Sequence, residues 1–164
     1  YYFLRMGRNL ERADMTTRII DVQSTNILPN ESEEVMPFEN IEWMSVLQSL
    51  SGYQSYRQKM QGRVHRSAVL DFLLRDMEFP RAFLHCLGEV DDCLMKLPRS
   101  EDILIAVNRL AVHIGSINTS KLSRQATHKF IDKLQQQLGE IHNLLSQTYF
   151  IVPDKLSHKD LVEA

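Results

Sequence analysis

The first residues able to do chemistry lie near the start of the chain. If this segment coils as an α-helix, Arg8, Glu11 and Arg18 share one side of it, apart from the apolar positions, with Arg12 beside Glu11. Arg8 to Glu11 is an i,i+3 pair and Asp14 to Arg18 an i,i+4 pair. An arginine's planar fork grips a phosphate or a carboxylate with two bonds, so the cluster can receive a phosphate, a carboxylate or a partner peptide. The same spacing also serves as helix-surface or inter-helix ion pairs that fix packing register. A catalytic version would use Glu11 or Asp76 as general base, with an arginine stabilising a developing anion.

Asp76 and Arg81 flank a break at Phe79-Pro80, where proline lacks an N–H and disfavours helix in the residue before it. One of the pair can cap the next helix while the other pairs across the fold. Alternatively, the interrupted helix exposes backbone groups that suit an anion. His85 and Glu89 are i,i+4 with Cys86 and Cys93 close by, a spacing that can ligate a metal but that solvent-facing polar groups and small core thiols also explain. Di-iron carboxylate bundles need Glu-x-x-His on two helices. The six histidines are preceded at that distance by Gly62, Ala82, Leu110, Gln125, Gly139 and Lys155. We therefore expect no metal and no cofactor. Arg57, Lys59, Arg63, His65 and Arg66 form a basic run that can touch nucleic acid, interleaved only with Tyr53 and Tyr56; the alternative is a solvated helix end. Phosphate-binding glycine loops, the G-x-S-x-G nucleophile elbow and Cys-x-x-Cys are all missing from the sequence, so any ATP chemistry belongs to a partner.

Apolar residues recur at 3–4 spacing through Phe3, Met6, Leu10, Ala13, Thr17, Ile20, Ser24 and Ile27, then through Trp43, Val46, Leu50 and Tyr53. The pattern returns in Phe83 to Leu97, Ile103 to Ile117 and Ile131 to Leu145. A denser run, Ala68 to Leu74, is apolar on more than one side and predicts a central helix. Pro29 to Pro37 reads as an acidic loop carrying Glu31, Glu33 and Glu34; Gly62, Pro80, Pro98 and Pro153 mark further breaks, and Ser100 reads as an N-cap before Glu101 and Asp102. No period-two pattern is sustained. The expectation is an all-α fold, a single antiparallel bundle of about six helices over residues 1–164 with no strands.

The chain has 164 residues, 43% hydrophobic and 24% charged, enough for one ordinary core. A net charge of -2 gives no global attraction to nucleic acid or anionic lipid. Cys86 and Cys93 would lie roughly 10 Å apart along one helix, too far for a disulfide, and read as reduced thiols of a cytoplasmic protein. No stretch has the apolar length of a membrane span or the pattern of a signal peptide. The chain opens at Tyr1 already inside a helical pattern, and we read it as a piece of a longer protein.

Two segments carry a family resemblance. Leu4-Arg5-Met6-Gly7-Arg8-Asn9-Leu10-Glu11-Arg12-Ala13-Asp14, continuing through Arg18 to Asp21, resembles the opening helix of the bacterial Alpha-E family, L-G-R-x-x-E-R-A-x-x-x-x-R-x-x-D, with Met6 in place of Leu. Phe72-Leu73-Leu74-Arg75-Asp76-Met77-Glu78-Phe79-Pro80-Arg81-Ala82 resembles its second hallmark, F-L-L-x-D-x-x-F-P-R-S. Here Ala82 replaces Ser, and Arg75 stands where an apolar residue is common. The resemblance implies an all-helical domain of uncharacterised function, encoded or fused beside ATP-grasp-type peptide ligases and transglutaminase-like proteins. It thus implies a bacterial cytosolic accessory to an amide-forming or amide-processing partner; our own expectation is that Arg8, Glu11, Arg12, Arg18, Asp76 and Arg81 form the surface or groove that docks such a partner or holds a peptide substrate for it.

Overall fold

The computed structural model describes residues 1–25 and 36–151, without the side chains of 36–38. Its elements are α1 (Tyr2–Thr25), α2 (Met36–Ser49), α3 (Tyr53–Met60), α4 (Arg66–Arg75), α5 (Phe83–Leu94), α6 (Glu101–Ser116), a 3₁₀ turn (Thr119–Lys121) and α7 (Arg124–Tyr149). No strand occurs among the described residues. The acidic Glu31–Glu34 segment, Ile27 and Pro153 fall outside them. Pro37 sits in the first turn of α2, where its missing N–H costs no helical bond.

Helices α1, α5, α6 and α7 form the antiparallel bundle. Arg5 meets Glu89 and Thr16 meets Arg81, which sets α1 antiparallel to α5. Phe3 against Tyr149 and Asp21 against His128 set it antiparallel to α7. Residues of α2 and α4 tie these helices over the end where α6 stops and α7 starts: Glu39 on α2 to Arg124, Arg66 on α4 to Leu122 and Thr127, and Arg75 on α4 to the last carbonyls of α6. As the apolar density of the segment predicts, α4 is central, with Val69, Leu70, Phe72, Leu73 and Leu74 all buried.

The expected second helix is two helices. Ser51 takes a left-handed φ of 55°, the Gly52 N–H reaches back to the Leu47 carbonyl at 2.7 Å, and the Ser51 N–H to Gln48 at 2.9 Å. This Schellman closure ends α2, and α3 restarts at Tyr53 in a new direction. The turn lets Tyr56 pack edge-on to Phe72, which stacks on Phe79 with ring centroids 4.9 Å apart. Pro80 lies between α4 and α5, as its chemistry requires. Ser100 precedes α6 as expected, but its hydroxyl donates to the Leu97 carbonyl and leaves the α6 N–H groups uncapped.

Gly52 is required at this corner, because a Cβ there would come within 2.8 Å of the Phe79 ring. Gly52→Ala is expected to destabilise the protein by about 1–3 kcal/mol through displacement of that ring. Gly139→Ala, in mid-α7 with nothing within 4 Å of the added carbon, is expected to stabilise by about 0.5–1 kcal/mol. Urea unfolding of both variants checks the pair.

Candidate functional site

Between the buried Met6 and Ile20, the core-facing side of α1 holds small and polar residues. Ala13, Thr16 and Thr17 are fully buried, and Asn9 nearly so. Thr17 and Ser24 donate to carbonyls of their own helix, at Asp14 and Ile20, while Thr16 donates to the Arg81 carbonyl at 2.8 Å. Short side chains let α1 lie close to α5, and the long arginines of α1 emerge along that seam.

Along the seam Arg5 pairs with Glu89 at 2.7 Å. This hydrogen bond holds the Glu89 carboxyl below the usual carboxylate range against an opposing effect of burial. Arg8 and His85 also act on Glu89 through their charge. Arg12 and Arg81 lie close enough to bear on the buried Cys86 thiol, which burial nonetheless pushes up to about 12. The Cys86 thiol points at the Pro80 carbonyl, and both cysteines are free and buried. Arg8, Arg12, Arg81 and His85 therefore gather around α1 and α5. Among the described residues, none of these four makes an ion pair. Of this group Arg8 and Arg81 are exposed, whereas Arg12 and His85 are half-buried.

The other proposed residues have different surroundings. Glu11 is exposed and makes no ion pair among the described residues, so the i,i+3 pairing with Arg8 does not form. Arg18 pairs with Asp14 at 2.7 Å on the surface, as spacing predicts. Asp76 closes α4: its Oδ1 accepts from the Glu78 and Phe79 N–H groups, and its Oδ2 pairs with Lys59 at 2.6 Å. Burial opposes ionisation of Asp76, but Lys59 and the two backbone donors outweigh it and hold the carboxyl below its ordinary value. A carboxylate so engaged is a poor general base.

Sequence reasoning missed Arg75. Its guanidinium donates to the carbonyls of Ile114, Gly115 and Ile117 and pairs with Asp71, capping the end of α6. That role accounts for a charge within an otherwise apolar run. A polar cleft of about 510 Å³ opens beside it, lined by His65, Ser67, Asp71, Asn118 and Ser120 among others. None of the six residues proposed from sequence lines that cleft.

The basic run is largely consumed by the fold. Lys59 holds Asp76 and Glu78, the His65 ring accepts from the Ala68 N–H as cap of α4, and Arg66 donates to Leu122 and Thr127. Arg57 and Arg63 remain exposed. His85 and Glu89, the pair with metal-like spacing, point to separate partners: His85 contacts the Met77 carbonyl at 2.8 Å, and Glu89 contacts Arg5.

The Asp76 geometry has a pH signature. A carboxyl with a lowered folded pKa stabilises the protein above its unfolded value of 3.8, and that contribution is lost as pH falls through the folded value. Asp76→Asn should therefore be less stable than wild type at neutral pH, with the gap closing as the solution is acidified below about pH 4. Urea midpoints of the two proteins across that range test it; a gap independent of pH would refute the charge-based cap.

Among the described residues, no helix is long and apolar enough to cross a membrane. No curated protein and no solved structure matches the chain. One family model does, over residues 1–150, and its description is a predicted alpha-helical domain with a conserved ER motif. Glu11-Arg12, at the start of the arginine-lined seam, supplies such a Glu-Arg step. With nearly the whole described chain inside the match, this protein belongs to the Alpha-E family.

Proposed function

We propose that this chain is a non-catalytic helical accessory module that docks an acidic segment of a partner protein along the α1–α5 seam. The observation that carries the reading is the group Arg8, Arg12 and Arg81, which meet no carboxylate at ion-pair distance among the described residues, whereas Arg5 and Arg18 do. Guanidinium groups left without a carboxylate at a shared seam are suited to carboxylates or phosphates brought by something else. Glu11, exposed beside them, adds a point of discrimination by repelling a wrongly placed acid.

The partner in this reading is an ATP-grasp-type peptide ligase or a transglutaminase-like protein in the bacterial cytosol, as the family resemblance implies. Two buried free thiols fit a reducing compartment. The catalytic alternative has less support, since Asp76 is engaged by Lys59 and two backbone donors. The nucleic-acid alternative is weakened in the same way by the structural use of Lys59, His65 and Arg66.

Co-purification with the ligase-type or transglutaminase-like protein encoded beside it tests the proposal. Replacing Arg8, Arg12 and Arg81 together by Gln is expected to weaken retention about tenfold or more, equivalent to about 1.4 kcal/mol. Wild-type retention should fall as salt rises. Undiminished retention by a triple variant with wild-type melting behaviour would sink the assignment of this surface.

A further inference from the structure

On its other seam, against α7, α1 presents Asp21 to two residues one helical turn apart, His128 and Asp132. The Nδ1 of His128 lies 2.5 Å from the Asp21 carboxylate, and its Nε2 lies 3.5 Å from that of Asp132. Each ring nitrogen therefore faces a different acid. A histidine that only staples two helices needs one such partner.

The distances favour a metal. One donor atom from each residue lies within 4.8 Å of the other two. A first-row ion bonds nitrogen and oxygen at about 2.0–2.2 Å, which sets two tetrahedral ligands about 3.3–3.6 Å apart, a separation of the same order. Rotamer adjustment of these partly exposed side chains can thus bring both carboxylates and one imidazole nitrogen onto one centre. The side chains of Asp21, His128 and Asp132 are 24%, 38% and 46% exposed, so an ion can enter and water can complete its coordination. Two carboxylates balance a dication, and the imidazole favours a borderline metal over calcium or magnesium.

We infer that Asp21, His128 and Asp132 form a binding site for a divalent ion of the zinc class, bridging α1 and α7 and leaving a coordination position to solvent. This site is independent of the arginine seam and of any partner docking there. The proton on the ring competes with the ion, so binding is to be measured at mildly alkaline pH.

The test is calorimetric titration of chelator-treated full-length protein with zinc chloride alone, followed by thermal melting with and without the ion. The expected result is saturable uptake of one equivalent, with a raised melting temperature. His128→Ala and Asp132→Asn should each weaken uptake about tenfold or more. Both positions are outside the core, and circular dichroism of the metal-free variants confirms folding. Cobalt in place of zinc should give ligand-field bands without a thiolate charge-transfer band, which separates this site from Cys86 and Cys93. His113→Ala should bind as wild type does. Absence of saturable uptake, uptake that survives His128→Ala, or a sulfur charge-transfer band would each overturn the proposal.

Discussion

Close approach of α1 to its neighbours is the constraint on which this molecule is built. Ala13, Thr16 and Thr17 are fully buried and have little bulk, so the helix axis can settle between α5 and α7. Their hydroxyls would be costly in such a place without partners, and they find them on Asp14 and Arg81. Because α1 sits deep, its longer side chains are pushed to the two flanks. Arginines line the side next to α5, and Asp21 reaches α7 on the other. Both sites discussed above are consequences of one buried stripe of small residues.

Legibility from sequence followed the physics of each feature. Helical periodicity is local, so the all-α architecture and the centrality of Ala68 to Leu74 could be read directly. The division of the second helix could not. Its apolar spacing runs through Leu50 to Tyr53 without interruption, and only the left-handed Ser51 and the buried Gly52 reveal the corner. The Ser100 position before α6 was readable, while the direction of its hydroxyl depends on the carbonyl that Leu97 happens to offer.

Charged residues were the hardest to place, for a related reason. An i,i+4 pair such as Asp14 and Arg18 is decided within one helix and can be seen in the sequence. Arg5, Asp76 and Arg75 each also take a partner from another element, at separations of 84, 17 and up to 42 residues. His128 meets Asp21 across 107 residues, so no motif spacing announces that cluster. The basic run around Arg57 to Arg66 reads equally as a surface for ligands or a solvated helix end, because its acceptors come from other parts of the fold.

The two ends of α4 bear on how the protein moves. This helix has ten residues, fewer than a free helix needs to persist in water. Its start is fastened through Arg66 to the turn before α7, and its finish through Arg75 to the close of α6 and through Asp76 to α3. Fraying at either end must therefore break bonds to a different element. Amide hydrogens along α4 can exchange with solvent only when α3, α6 and α7 loosen with it, which makes this short central helix a reporter of the cooperative opening of the whole bundle rather than of its own local stability.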